Sequence, residues 1–140
     1  MIGKILVPLD ISAEKTGGES LQMAKQMASA NDSKICLLHV NETMPGYVAA
    51  HLPDDFGERA VKTAQEALQK AAEANGVTAD IVVRSGNPAA EILAYADEAG
   101  VDMIILPSHD PGLADYLLGS TAARVVRHAH CSVTVLRHRD

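Results

Sequence analysis

The sequence predicts an α/β protein built on a five-stranded parallel sheet, and three observations carry this prediction. Five short, almost continuously apolar segments are spread along the chain, and amphipathic helical segments lie between them. Continuous apolar runs are typical of strands that are covered on both faces. Right-handed crossovers turn this β-α-β-α-β-α-β-α-β order into a parallel sheet between two helical layers. With 140 residues, we expect a single domain over residues 1–140.

The five predicted strands are four to seven residues long and rich in β-branched and long aliphatic side chains. Such lengths suit buried strands better than helices. The runs are Lys4–Leu9, Lys34–Val40, Ala79–Arg84, Met103–Leu106 and Ser132–Leu136.

Capping residues mark the ends of four predicted helices, over residues 18–30, 55–75, 87–100 and 120–128. Thr16 and Glu19 have the spacing of a capping box at the first helix. Asn87-Pro88 starts the third, and Gly76 and Gly100 stop the second and third in the left-handed conformation. Apolar residues spaced three and four apart predict the faces turned inward. They are Leu21, Ala24 and Ala28; Val61, Ala64, Leu68, Ala71 and Ala72; Ile92, Leu93 and Ala96; and Ala122, Val125 and Val126.

Composition and charge exclude several classes of protein. The net charge of −6 and the near-absence of aromatic residues leave no basic or stacking surface for nucleic acid. No apolar run is long enough to cross a membrane, and the N-terminus lacks a signal-peptide pattern. Two cysteines, Cys36 and Cys131, give neither a disulfide framework nor metal-ligand spacing. We therefore expect a cytoplasmic protein with reduced thiols that neither binds nucleic acid nor inserts into a membrane.

Ligands of open α/β sheets bind at the carboxyl ends of the strands, so the residues that follow each strand are the first candidates. The usual phosphate-binding and dinucleotide-binding glycine motifs are absent. The connection from Asn41 to Asp54 is long enough for a lid or binding loop, or for a variable surface loop. The strand-end residues are Pro8-Leu9-Asp10, Asn41, Ser85-Gly86 and Pro107-Ser108-His109-Asp110.

The start of the fourth helix is a candidate phosphate site. Gly119 allows close approach of the backbone, and Ser120 and Thr121 place hydroxyls and unpaired amides at a helix N-terminus. That end of a helix carries about half a positive charge, which suits a phosphate. The same residues also suit ordinary helix capping, so this pattern alone leaves both interpretations open.

Several segments together resemble the universal stress protein family. Ile5-Leu6-Val7-Pro8-Leu9-Asp10 is similar to its first strand. Its C-terminal signature resembles Leu117-Leu118-Gly119-Ser120, Val125-Val126-Arg127-His128-Ala129 and Cys131-Ser132-Val133. The element order resembles that family over the whole chain. The resemblance implies a Rossmann-like (adenine nucleotide alpha hydrolase-like) three-layer sandwich with strand order 3-2-1-4-5, in a homodimer.

The resemblance also bears on ATP. Family members that bind ATP usually carry G-x-x-G-(nine residues)-G-[ST], and here Leu106 and His109 occupy the first two glycine positions. Ser108-His109-x-Pro111 instead resembles a second ATP-binding subgroup, which includes regulators associated with transporters. Asp110 stands where that subgroup usually has arginine. Its carboxylate weakens binding, favours a magnesium-bound nucleotide, or only points to solvent or caps the Pro111-Gly112 turn.

The resemblance implies an adenine flanked by Pro8 and Leu9, with its edge read by the Val40 backbone. Asp10 is a candidate for the ribose or a phosphate-bound metal, and His109 for the phosphates. The expected nucleotide-binding residues are Pro8, Leu9, Asp10, Val40, Leu106, Ser108, His109, Gly119, Ser120 and Thr121. Asp10 and Asp110 are the expected contacts of magnesium, carried by the nucleotide.

Three functions are compatible with these residues. The first is a cytoplasmic, ATP-binding regulatory module with at most slow ATP hydrolysis. It would form a homodimer through its last strand, and the sequence leaves open whether dimers assemble into tetramers. Its partner would be a transporter or regulatory protein. The second is a nucleotide-free dimeric interaction protein of the same fold. The third is an enzyme that cleaves the α–β phosphate bond, faintly suggested by Gly17-Gly18-Glu19-Ser20.

Overall fold

The computed structural model describes residues 2–11, 17–107 and 119–137, and its strands form one parallel sheet. The sheet order is β3-β2-β1-β4-β5, and each neighbouring pair is parallel. The strands are β1 (Lys4–Pro8), β2 (Lys34–Asn41), β3 (Asp80–Ser85), β4 (Met103–Leu106) and β5 (Ser132–Val135). The predicted fold class and strand order are confirmed.

The described helices match the prediction apart from one short addition. They are α1 (Gly18–Asn31), α2 (Gly46–Ala49), α3 (Phe56–Ala74), α4 (Pro88–Ala99) and α5 (Ser120–His128). The addition is α2, one turn of helix within the long connection after β2. Its exposed residues give no apolar periodicity, which is why the sequence did not indicate it.

Two apolar layers hold the helices against the sheet. On one face, Leu21 of α1 and Leu68 of α3 pack with Ile5, Val7 and other buried residues. On the other face, α4 and α5 pack against the alternate strand residues through Ile92, Ala96 and Val125. The protein is therefore a three-layer α/β/α sandwich.

Helix ends follow the predicted chemistry at α3 and α4. Asn87 Oδ1 accepts a hydrogen bond from Ala90 N at 3.0 Å, and Gly76 and Gly100 have φ values of 65° and 67°. The N-cap of α1 is Gly17, with φ of 64°, and Thr16 of the predicted capping box lies outside the described residues. A Cβ at Gly17 would overlap the side chain of Leu9, so the chain needs glycine there.

The edge strands and α5 are more exposed than the apolar runs predict. β3 and β5 each have one neighbouring strand, and their residues are partly or fully exposed. Val126, predicted to face inward, is 44% exposed, because Val125 takes the buried position. Successive helix residues point about 100° apart, so both valines cannot face the same sheet.

Candidate functional site

A cleft of about 700 Å³ opens at the carboxyl ends of β1, β2 and β4. The sheet order reverses there, since β2 and β3 lie on one side of β1 and β4 and β5 on the other. This is the position at which open α/β sheets bind ligands, and the volume is typical of small-molecule sites. Its described lining residues are Pro8, Leu9, Asp10, Ile11, Leu38, His39, Val40, Asn41, Glu42, Pro88, Ile92, Leu106, Pro107, Gly119, Ser120, Thr121 and Ala122.

The cleft brings together most of the residues that the sequence singled out. Its walls include Pro8, Leu9, Asp10, Val40, Leu106, Gly119, Ser120 and Thr121. Ser108, His109 and Asp110 lie outside the described residues. The wall residues come from the ends of three strands and from the first turn of α5, so only the fold makes them neighbours.

The floor of the cleft is apolar and fixed by the sheet. Leu9 N donates to Leu38 O at 2.8 Å, which extends the β1–β2 pairing one residue beyond β1. Leu9, Leu38 and Leu106 are each less than a twentieth exposed. A flat apolar group placed here is covered by side chains that cannot easily move aside.

The backbone of Val40 faces the cleft beyond the end of β1. Successive strand residues direct their N–H and C=O groups to opposite neighbours. Leu38 O pairs with Leu9 on the β1 side, and Asn41 O accepts from Gly86 N at 2.9 Å on the β3 side. Val40 therefore turns its backbone polar groups toward β1, which has already ended at Pro8. This geometry presents a donor and an acceptor to one edge of a ligand.

The N-terminus of α5 is open toward the cleft. Gly119, the N-cap, has an extended backbone, and among the described residues no side chain caps the helix. Ala123 N donates to Gly119 O at 2.9 Å, but the amides of Ser120 and Thr121 precede the first residue that can bond within the helix. A Cβ at Gly119 would meet no atom of the described residues within 4 Å. As far as the described residues go, the space beside Gly119 is available to a group that accepts hydrogen bonds.

The N-terminus of α4 is, by contrast, already satisfied. Asn87 Oδ1 accepts from Ala90 N and also from Arg124 Nη1, at 3.2 Å. Arg124 belongs to α5, so this contact holds the starts of the two helices together. Pro88 and Ser120, one from each start, both line the cleft. A single asparagine thus caps α4 and helps to fix the rim of the site.

His39 and Asn41 are site residues that the sequence reasoning missed or left without a role. His39 is 8% exposed, with Nδ1 3.0 Å from Leu9 O and Nε2 3.0 Å from Asn41 Oδ1. The available signal was a histidine inside an otherwise apolar strand, followed two residues later by an asparagine on the same face.

Charge in the described lining is acidic. Asp10 and Glu42 are its carboxylates, and the described part of the lining contains no lysine or arginine. Any attraction for phosphate within this described part must therefore come from backbone amides and hydroxyls at the start of α5. The two ends of the cleft differ in character: acceptors lie near the ends of β1 and β2, and donors lie at α5.

The cysteines lie outside this cleft. Burial raises the pKa of the Cys36 thiol and that of the Cys131 thiol, and both are free. The described residues hold no group of three or more histidine, cysteine or acidic side chains arranged for a metal. None of the described helices is long and apolar enough to cross a membrane.

The fold and cleft define a doubly wound α/β protein with a cleft at its topological switch point. A family profile described as the universal stress protein family matches residues 1–137, and this chain belongs to that family. Universal stress protein YxiE of Bacillus subtilis is 31% identical, and the alignment covers 98% of this chain and 100% of YxiE.

Solved structures share the fold. The MJ0577 protein superposes with a TM-score of 0.81 at 24% identity, covering 100% of this chain and 99% of its own. A universal stress protein solved in complex with cAMP has a TM-score of 0.65 at 22% identity, covering 97% of each chain. At these sequence identities the superpositions show a shared fold and nothing more. That fold agrees with the sheet order of this chain.

Proposed function

We propose that this chain is an ATP-binding regulatory module. The observation that carries the proposal is the cleft itself, in which an apolar floor and the backbone edge of Val40 lie opposite a helix N-terminus that no described side chain caps. A nucleotide has the matching sequence of parts: a flat ring with a polar edge, a sugar, and phosphates.

Each part of the nucleotide has a complementary region. The adenine lies over Pro8 and Leu9 with its edge toward the Val40 backbone, and Leu106 borders the same apolar region. The ribose lies near Asp10, and the phosphates lie at Gly119, Ser120 and Thr121. Ser108 and His109, outside the described residues, complete the phosphate end in this proposal.

Magnesium enters with the nucleotide rather than in a site built by the protein. Asp10, which is exposed at the cleft, offers the oxygen ligand that this cation prefers, and Asp110 is the second candidate. The described residues contain no ready-made cluster of metal ligands. In this proposal the ion is held mainly by phosphate oxygens and is touched by one or two carboxylates.

The comparisons support a nucleotide ligand for this fold. A universal stress protein of the same architecture has been solved with cAMP, an adenine nucleotide. The cleft of the present chain lies at the corresponding switch point of the sheet. We propose ATP rather than another adenine nucleotide because the open start of α5 offers amides to a chain of phosphates.

The remaining features concern how the module acts. We propose one domain over residues 1–140 in the cytoplasm, a homodimer through the edge strand β5, and a protein partner such as a transporter. An edge strand with unpaired backbone groups is suited to pairing with a second copy. ATP binding then acts as a signal, and hydrolysis is slow or absent.

Identification of the bound ligand tests this proposal. Freshly purified protein is denatured, the released small molecules are separated by chromatography, and ATP binding to stripped protein is measured by calorimetry. Released ATP or ADP and a saturable heat with Mg-ATP are expected. An empty cleft and no heat of binding with Mg-ATP favour the nucleotide-free interaction protein. The absence of glycine at positions Leu106 and His109 also argues for that alternative. Rapid phosphate release favours the enzyme.

A further inference from the structure

His39 links the ends of two neighbouring strands at the floor of the cleft. Its ring is almost fully buried and uses both nitrogens, one toward the carbonyl of Leu9 and one toward the side chain of Asn41. Leu9 is followed by Asp10, and Asn41 is followed by Glu42. The imidazole therefore joins the two segments that carry the acceptor groups of the cleft.

The hydrogen-bond pattern bears on where the imidazole hydrogen lies. In a ring with one N–H, the 3.0 Å contact to Leu9 O, which can only accept, favours a hydrogen on Nδ1. The alternative leaves Nδ1 as an acceptor from Ile11 N at 3.4 Å, and the lone pairs of Nδ1 and Leu9 O would then face each other. The shorter contact, which satisfies a buried carbonyl, defines the favoured tautomer.

The same pattern orients Asn41. With the hydrogen on Nδ1, Nε2 must accept a hydrogen bond from Asn41. The amide atom 3.0 Å from Nε2, assigned as Oδ1, is then the NH₂ end of the amide. The two ends of an amide have nearly the same shape and are assigned from their partners. In this tautomer Asn41 donates to the ring, and its carbonyl oxygen is left for the cleft that it lines.

The neighbours of Asn41 favour a ligand group that donates hydrogen bonds. Asp10 and Glu42, on the same side of the cleft, add carboxylate oxygens and repel a phosphate. A hydroxyl-bearing sugar offers donors without negative charge. The phosphates find amides at the opposite side, at the start of α5.

We propose that Asn41 is a specificity-determining residue that accepts a hydrogen bond from a ribose hydroxyl, and that His39 is its positioning residue. This inference rests on the proposed function, since it assigns a part of the same nucleotide. Asn41 then selects ribonucleotides over deoxyribonucleotides, and the imidazole of His39 keeps its amide oxygen turned toward the sugar.

A ligand-by-variant cycle tests the assignment by calorimetry. ATP, 2′-deoxy-ATP and 3′-deoxy-ATP are titrated into the wild type and into Asn41→Ala. The loss of one hydrogen bond is worth about tenfold in affinity, so the wild type should prefer ATP to one analogue by about that factor. Asn41→Ala should lose about tenfold for ATP but bind that analogue as the wild type does. Asn31→Ala, on the exposed end of α1, is the matched control and should change none of the affinities.

Two further variants separate positioning from folding. His39→Phe keeps an aromatic ring but neither nitrogen, so its ATP-to-analogue ratio should fall to about one, whereas a merely structural role would weaken ATP and analogue equally. Asn41→Asp keeps an acceptor oxygen, so its ratio should persist even where all affinities fall. Equal losses for ATP and both analogues in Asn41→Ala overturn the inference while leaving ATP binding intact. A wild type that binds no ATP overturns the proposed function as well.

Discussion

The hydroxyl of Tyr95 lies 3.3 Å from the Sγ of Cys36, joining helix α4 to the middle of strand β2. The guanidinium of Arg84 lies 5.8 Å from the centre of the Tyr95 ring and bonds Glu91 and Glu98 on the same helix. These contacts hold α4, the helix that contributes Pro88 and Ile92 to the cleft, against the β2–β3 side of the sheet.

The Tyr95–Cys36 contact predicts a late phenol titration. The hydrogen bond to Cys36, with burial, raises the pKa of Tyr95 to about 12 from a usual value near 10. Because the folded pKa is the higher one, its contribution to stability is complete below about pH 10 and is lost as the pH rises toward about 12. Ultraviolet difference titration should show this late phenol in the folded protein, and Cys36→Ala should shift it downward. Tyr47→Phe, at an exposed site, should leave it in place; a Tyr95 phenol that titrates near the usual value of about 10 would contradict the contact.

Gly119→Val should abolish or strongly weaken nucleotide binding without unfolding the protein. Gly119 has an ordinary backbone conformation, and a Cβ there would meet none of the described residues. We therefore expect the fold to tolerate a side chain that would occupy the place of a phosphate. We expect at least a tenfold loss of ATP affinity by calorimetry and an unchanged urea midpoint. Gly57→Val, at a glycine with similar open space but outside the cleft, is the control. Unaltered ATP affinity in Gly119→Val removes Gly119 from the site.

Asp110 should make nucleotide binding depend on magnesium. A carboxylate about 4 Å from a phosphate charge costs about 1 kcal/mol in water-like surroundings and about 4 kcal/mol at an effective dielectric of 20. This corresponds to about tenfold to nearly a thousandfold in affinity, unless a cation lies between. We expect tighter ATP binding with magnesium than with EDTA, and a smaller difference in Asp110→Arg. Equal affinities of the wild type in both buffers would refute the hypothesis.

Ser20→Ala should stabilise the fold. Ser20 is 1% exposed, and its hydroxyl has no hydrogen-bond partner in the structure among the described residues. Removing an unpaired buried hydroxyl relieves its desolvation cost, and alanine also has the higher helix propensity. We expect the free energy of unfolding, measured by urea denaturation, to increase by about 1 kcal/mol. Ser29→Ala, at an exposed serine of α1 that bonds Lys25 O, should gain less; an equal or larger gain there would show that helix propensity alone acts.

Asp102→Ala should loosen the start of the chain. Asp102 Oδ2 accepts from Gly3 N at 2.9 Å and from Lys4 N at 3.1 Å, which fixes the entry into β1. We expect a loss of about 1 kcal/mol in the free energy of unfolding, and faster amide exchange at Gly3 and Lys4. Asp102→Asn keeps an acceptor oxygen and should lose less, so equal losses in the two variants would point to charge rather than to these bonds.

The sheet was predictable because each strand has its own apolar run and each helix its own stops. The boundaries of α4, for example, follow from Asn87, Pro88 and Gly100, whose roles depend only on local backbone geometry. The start of α1 at Gly18 was also predictable, but the need for glycine at position 17 was not, because it comes from the distant side chain of Leu9. Val126 was misassigned because α5 buries a narrower face than its apolar residues suggest.

The site was predictable where position at a strand end is enough. Pro8, Leu9, Asp10 and Val40 reach the cleft because parallel strands end at the same edge of the sheet. The role of His39 depends on contacts to Leu9 and Asn41, and the first of these joins residues 30 positions apart. No local pattern encodes such a contact, so it became visible only in three dimensions.

The contrast between the two helix starts has a thermodynamic consequence. Asn87 completes α4 from within the chain, whereas the amides at the start of α5 await an acceptor that no described side chain supplies. A solute that binds there caps the helix. Because it binds only the folded protein, the free energy of its binding adds to the free energy of unfolding. At a hundred times its dissociation constant such a solute adds about 2.7 kcal/mol to stability. The rigidity of the last helix, and of the edge strand that follows it, would then report the concentration of that solute.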